Sequence, residues 1–255
     1  AAIIGCGFVG ASSAFSLLQK GIFSELVLID ANKVKAEGEA MDISHGIPFA
    51  RQMKIYAGDY DDIVDAAIII VTAGANQKPD ETRLDLVHKN VAIFKSIIPE
   101  IAKRSCRGIL LIVANPVDIL TYTALKLSGF EENRVIGSGT VLDTARLKYE
   151  LGEHLQVDSK SVHAFIIGEH GDSEIAAWSS ANVSGIELDE FCEMRGHYEH
   201  QDATVEIADK VKNSAYEIIK RKRATYYGIA MAVKRICEVL SLIHISEPTR
   251  LRRIS

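Results

Sequence analysis

The sequence has 255 residues, 47% of them hydrophobic and 25% charged, with a net charge of -5 and an isoelectric point near 5.9. That composition suits a soluble globular chain of one large domain or two smaller ones, and its acidic balance argues against a general binder of nucleic acid or of an anionic membrane surface. No apolar run approaches the ~18 residues that a membrane-spanning helix needs.

The chain opens on an aliphatic run, 1–4, that reads as the end of a strand beginning upstream. Gly5-Cys6-Gly7-Phe8-Val9-Gly10 follows at once and opens a helix-patterned stretch, 10–19. In this G-x-G-x-x-G spacing the first glycine permits a tight turn. The second lets backbone approach a pyrophosphate, and the third lets helix pack close on sheet. A second strand, 26–29, ends at Asp30, twenty residues past Gly10. An acid there accepts hydrogen bonds from the ribose hydroxyls of adenosine and repels a 2′-phosphate, so the cofactor is expected to be NAD and not NADP. A helix is expected at 34–43, strands at 54–56 and 67–72, a helix at 84–103 and a strand at 109–113. Alternation of this kind, with nearly all-apolar strands, predicts an α/β, doubly wound parallel sheet of the Rossmann type. The pattern changes near Ser138. A helix at 142–151, a strand-like run at 161–167 and a long helical stretch from about 198 to 237 predict a mixed α+β substrate domain. The expected division is a nucleotide-binding domain at 1–138, a catalytic domain at 139–239 and an appended tail at 240–255.

Residues 240–250 read Leu-Ser-Leu-Ile-His-Ile-Ser-Glu-Pro-Thr-Arg, the codon-by-codon translation of a transposase adapter used in DNA sequencing libraries. The tail is therefore expected to be foreign to the fold. The four cysteines, Cys6, Cys106, Cys192 and Cys237, form no C-x-x-C pair. They read as reduced thiols of a cytoplasmic protein, with neither a disulfide framework nor a metal site.

The chemistry concentrates in a few segments. Ile167-Gly168-Glu169-His170-Gly171-Asp172-Ser173 sets a histidine in a glycine-flanked turn after a strand. Asp143 and Arg146 stand in Leu142-Asp143-Thr144-Ala145-Arg146-Leu147, and Arg83 ends the polar loop that starts at Ala73. With the glycine motif and Asp30, the segments VTAGANQKPDETR, VANPVD, IGSGTVLDTAR, IGEHGDS and ATYYGIA, in this order, resemble the L-lactate/malate dehydrogenase family almost continuously from residue 1 to about 239.

The resemblance implies an NAD-dependent 2-hydroxy-acid dehydrogenase. In it His170 is the general acid–base, Asp143 orients the imidazole and stabilises its protonated form, and Arg83 polarises the substrate carbonyl from a closing loop. Arg146 would grip the substrate carboxylate with a bidentate fork, and Asn115 would bond the substrate oxygen. Thr225 would line the substrate pocket. The cofactor surface is expected from Gly5, Gly7, Phe8, Val9, Gly10, Asp30, Thr72, Ala73, Gly74, Asn115, Ser138 and Ile229. Gln77 matches the position that faces the variable end of the substrate. A neutral side chain there would leave the second carboxylate of oxaloacetate buried and unpaired, so pyruvate and lactate are expected over oxaloacetate and malate. The alternatives are a malate or other 2-hydroxy-acid dehydrogenase and a non-catalytic NAD-binding protein on the same fold. The resemblance also implies association into a homotetramer or dimer and, through Lys148 and His163, possible activation by fructose 1,6-bisphosphate. Two departures stand out. Arg223 occupies a position where the family usually has glycine, and is expected to crowd the bend that positions Thr225. The family's last strands and final helix have no counterpart, so the chain is expected to be cut at both ends and inactive or nearly so by itself, although its gene is expected to encode an active enzyme.

Overall fold

The computed structural model describes residues 1–75, 82–196 and 200–245, with Arg83, His200, Gln201 and 242–245 described by their backbone alone. The first part alternates strand and α-helix except between β3 and β4, which a short 3₁₀ turn joins. It runs β1 (Ala2–Ile4), α1 (Phe8–Lys20), β2 (Glu25–Ile29), α2 (Lys33–Ser44), β3 (Lys54–Ala57), β4 (Ile68–Val71), α3 (Arg83–Ala102), β5 (Ile109–Ile112), α4 (Val117–Ser128) and β6 (Val135–Gly137). The six strands form one parallel sheet in the order β3-β2-β1-β4-β5-β6, the crossover pattern of a doubly wound Rossmann fold. The sequence reading missed α4 and β6. The helix is rich in β-branched residues and the strand is three residues long, so neither carries a strong period of its own.

The apolar strands are explained by burial on both faces. Ala2, Ile4, Ile69, Val71, Leu110 and Ile112 point to one side, against Phe94, Ile98 and Ile101 of α3 and Leu120 and Ala124 of α4. Their neighbours Ile3, Ile68, Ile70 and Leu111 point to the other, against Leu17 and Leu18 of α1 and Ala36 and Ala40 of α2. A period of two in a continuous apolar run thus feeds two cores from one sheet.

The second part comprises α5 (Val141–Leu155), β7 (Val162–His163), β8 (Ile166–Ile167), β9 (Ile175–Ala176), β10 (Asn182–Val183), β11 (Ile186–Glu187), α6 (Leu188–Met194), α7 (His200–Lys222) and α8 (Tyr227–Ile245). The single strand expected at 161–167 is two strands serving different sheets. β7 joins β10 and β11, and β8 pairs with β9. A third core gathers Leu147, Leu151 and Leu155 of α5 with Val162, Ile166, Val183 and Val211. The long helical stretch expected at 198–237 is likewise two helices. The break falls at Arg223, whose φ is +69° and whose N–H donates to Ile219 O at 2.7 Å. The Arg223 side chain is exposed. The cost of arginine here is therefore a left-handed backbone that glycine adopts freely, and not the crowding expected from its length.

After the break α8 returns to the first sheet. Val233 and Cys237 enter the α1/α2 core, and Glu238 pairs with Lys20 at 3.3 Å. α8 runs through Ile245, past the point where the appended tail was expected to start, and Leu240 lies against the same core. Residues 246–255 lie outside the described residues. No described helix is long and apolar enough to cross a membrane.

Candidate active site and cofactor cleft

A cleft of about 590 Å³ opens at the carboxyl ends of β1, β2 and β4, lined in part by Gly5, Gly7, Asp30, Ala31, Ala73 and Gly74. This is the crevice where the strand order reverses in an open α/β sheet. Its shape depends on missing side chains. Gly5 has φ +103°, and a Cβ there would meet Ala73 N at 2.5 Å. A Cβ on Gly10 would lie 1.9 Å from Gly5 O, so α1 approaches the loop only because that atom is absent. A Cβ on Gly7 would meet nothing, because this glycine faces the open cleft. Gly7 is also the N-cap of α1 and makes no side-chain cap, so the first N–H groups of the helix remain able to bind a phosphate. Asp30 is fixed beside them. Its Oδ2 accepts the Cys6 N–H at 2.6 Å and its Oδ1 the Asn32 N–H at 2.9 Å, which leaves lone pairs on both oxygens for ribose hydroxyls. Thr72 donates to Gly5 O at 2.6 Å and locks the loop to β4. The cradle therefore fits a dinucleotide with an unphosphorylated ribose. Burial pushes the Cys6 thiol up to about 12, so it is a packing group behind the loop and not a nucleophile.

The candidate acid–base group is built on α5 and the loop after β8. Thr140 Oγ1 donates to Ile166 O at 2.7 Å, and Thr144 Oγ1 accepts the Ile166 N–H at 3.0 Å, which fastens the first turn of α5 to β8. Asp143, in that turn, is 1% exposed. Gly168 and Gly171, with φ +88° and +117°, bend the loop on either side of His170 and turn its ring inward. Nδ1 of His170 lies 2.6 Å from Asp143 Oδ2, and Arg146 Nη1 donates to Asp143 Oδ1 at 2.9 Å. One buried carboxylate thus carries the imidazole on one oxygen and the guanidinium on the other.

The hydrogen bond from Asp143 raises the His170 pKa above that of an ordinary histidine, against the opposing effect of burial. Glu174 also stands here, accepting the Gly171 N–H at 3.4 Å. Burial first, and then the charge of Asp143, hold its carboxyl above the usual range. Ligating atoms of Asp143, His170 and Glu174 lie within 4.8 Å of one another, a spacing that could hold a cation. Both Asp143 oxygens are already engaged, however, so the set is better arranged to move a proton than to cradle a metal. Chemically, an imidazole with Nδ1–H given to a buried carboxylate presents Nε2 for proton exchange, beside a guanidinium able to take a carboxylate.

Asn115 follows β5, is exposed, and precedes Pro116 in a cis peptide. Its carbonyl accepts from Asn90 Nδ2 at 2.6 Å. The same amide accepts the Ala75 N–H at 2.7 Å and donates to Ala75 O at 3.3 Å. Asn90, 1% exposed, thereby ties the loop after β4 to the loop after β5. Ser138 is buried at the end of β6, its N–H donating to Ile112 O at 2.8 Å. Thr225 lies in the α7–α8 break, half-buried, and next to it Tyr226 stacks on Phe8 with ring centroids 5.2 Å apart. Val9 and Ile229 both lie against the α1/α2 core. Lys148 is half-buried on α5, and His163 is exposed on β7. Gln77 lies outside the described residues, as does the Arg83 side chain at the start of α3.

Three residues of this region were not singled out from sequence. Asn90 had a signal, since it takes a core-facing position in the helical run Leu86, Val87, Val91, Phe94. Asp118, whose Oδ2 accepts the His170 N–H at 2.9 Å, closes the segment VANPVD, whereas Glu174 had no signal because it acts across a turn.

The geometry agrees with the comparisons. Residues 1–137 match the lactate/malate dehydrogenase NAD binding domain, and residues 140–244 match the lactate/malate dehydrogenase alpha/beta C-terminal domain. An L-lactate dehydrogenase of Acetivibrio thermocellus is 56% identical over 238 residues, 93% of this chain and 75% of that protein. One from Thermoanaerobacterium saccharolyticum is 54% identical over 252 residues, 97% of this chain and 81% of that protein. Among solved structures, the ligand-bound minor L-lactate dehydrogenase of Enterococcus mundtii superposes with a TM-score of 0.88 at 49% identity, covering 92% of this chain and 75% of that one.

Proposed function

This chain belongs to the lactate/malate dehydrogenase family, and from that premise we propose that it catalyses the reversible reduction of pyruvate to (S)-lactate with NADH. The observation that carries the reading is the Asp143 carboxylate shared between His170 and Arg146, at 2.6 and 2.9 Å, on the same molecule as the glycine cleft. NADH, when bound, supplies the hydride that reaches the keto carbon.

The rest is the work of side chains. Arg146 holds the pyruvate carboxylate through its guanidinium fork, and Asn115 takes the substrate oxygen. His170, protonated, gives its Nε2 proton to the oxygen as charge builds there, and neutral His170 recovers it in the reverse direction. Asp143 stabilises the imidazolium and holds the ring with Nε2 outward. Arg83 polarises the carbonyl from the first position of α3, and Gln77, a neutral residue, admits the pyruvate methyl. Thr225 and Ser138 bound the pocket and the nicotinamide site. The same reading places the enzyme in the cytoplasm as a dimer or tetramer, with Lys148 and His163 as phosphate-binding groups for fructose 1,6-bisphosphate.

The test follows NADH absorbance in the protein expressed from its gene, with pyruvate and with oxaloacetate. Turnover with pyruvate and little with oxaloacetate is the expected result; a preference for oxaloacetate overturns the substrate assignment. Sedimentation and rate measurements with and without fructose 1,6-bisphosphate test association and activation. An unchanged rate removes the activator from the scheme.

A further inference from the structure

Resting on the reading of His170 as the proton donor, we propose that Asp118 is a positioning residue that holds His170 in register with Asn115. Asp118 is in the first turn of α4, in the nucleotide-binding part of the chain, where a carboxylate is favoured by the positive end of the helix dipole. Its Oδ2 accepts the main-chain N–H of His170 at 2.9 Å across 52 residues of sequence. That bond meets the weakest part of the catalytic loop. Gly168 and Gly171 flank Glu169-His170 with positive φ, and no strand runs between β8 and β9 to hold the backbone. Gly171 and Glu174 bond to each other within this loop, at 3.4 Å through the Glu174 side chain and 3.1 Å through its N–H.

His170 is therefore clamped at two points by two carboxylates. Asp143 of α5 fixes the ring, and Asp118 of α4 fixes the main chain. The clamps come from two different helices, α5 and α4. Asp118 is also three residues from Asn115, in the same tight segment after β5, and Asn90 anchors that segment by its carbonyl. The amide that takes the substrate oxygen and the ring that protonates it are thus referred to one rigid turn. Among the described residues, Arg146 and Glu174 are the other charged groups that act on the ring, and the backbone N–H of His170 is given to Asp118.

The experiment compares Asp118→Ala and Asp118→Asn with the unaltered enzyme, measuring kcat and KM for pyruvate, NADH affinity by fluorescence, and the pH profile. Turnover by the unaltered enzyme comes first, because its absence would overturn the assigned function and not this inference. Loss of the tie lets the ring wander by a fraction of an ångström, so kcat of Asp118→Ala falls roughly tenfold to a hundredfold. NADH affinity holds, and the high-pH limb of pyruvate reduction moves to lower pH as the ring loses its register on Asp143. Asp118→Asn keeps an acceptor oxygen and recovers most of the rate. The proposal is overturned if Asp118→Ala retains full kcat and an unmoved pH limb. It is equally overturned if Asp118→Asn is as impaired as Asp118→Ala, which would make the charge the essential feature, or if Asp118→Ala loses NADH binding and rate together.

Discussion

The cofactor cleft and the acid–base site are built by opposite means. The cleft is shaped by atoms that are missing. Gly5 and Gly10 let backbone and helix come together where any Cβ would collide, Gly7 faces the open cleft, and the first N–H groups of α1 carry no side-chain cap. The acid–base site is shaped by side chains that must all be present, with Asp143 buried to hold His170 and Arg146 at once. Backbone-built sites tolerate change in the surrounding side chains but none at the glycines. Side-chain-built sites fail by degrees, according to which member of the network is lost.

Substitutions in the two regions should therefore separate binding from chemistry. His170→Asn has the largest expected effect. It lowers kcat for pyruvate by about 10²- to 10⁴-fold, the range of general acid–base catalysis, and leaves NADH binding intact. If NADH affinity falls in parallel, the two regions are not independent.

Asp143→Asn comes next, with a lower kcat and a displaced pH profile. On the proposed mechanism pyruvate reduction needs protonated His170, so it is expected to proceed below the His170 pKa and to fail above it. The Asp143 hydrogen bond raises that pKa, and an amide cannot, so the high-pH limb moves to lower pH. A limb that stays in place in a pH series of kcat/KM would separate the pair from the titration.

Gly10→Ala probes the other region. The new Cβ falls 1.9 Å from Gly5 O, so α1 must shift, at a cost of about 1–3 kcal/mol in stability together with lost NADH affinity. Thermal melts with and without NADH should show the lower midpoint and a smaller ligand-induced rise. Normal NADH binding would mean that the loop relaxes.

The smallest effect is a gain. Arg223→Gly relieves a left-handed residue at the end of α7, which stabilises the fold on the order of 0.5–1 kcal/mol after allowance for glycine's extra freedom in the unfolded chain. Urea unfolding would register it, and a loss of stability would show that the Arg223 side chain contributes more than its backbone costs.

Much of the nucleotide half was legible in the chain because its signals are short-range. The aliphatic runs at 67–72 and 109–113 fall on β4 and β5, and the glycine spacing falls on the β1–α1 turn. The catalytic half was legible in its members but not in their mutual contacts. Asp143 and His170 stand 27 residues apart, and nothing local indicates that they meet at 2.6 Å. Residues 161–167 look like one strand because β-propensity does not register the break at Ala164 and Phe165 between β7 and β8, which join different sheets.

What the sequence by itself determined was the parallel α/β layering and the glycine-built dinucleotide cradle with Asp30 beside it, and it singled out His170 as the candidate acid–base group. Those follow from periodicity, from glycines in fixed spacing and from motifs in order, all readable within a few residues. Only the tertiary structure decided that one carboxylate serves both His170 and Arg146, that Asn90 joins two loops, that Asp118 reaches His170 across 52 residues, and that α8 returns to cover α1. Each of these is a contact between segments remote in the chain. Its existence depends on how helices pack over the sheet, and local preference says nothing about such a distance.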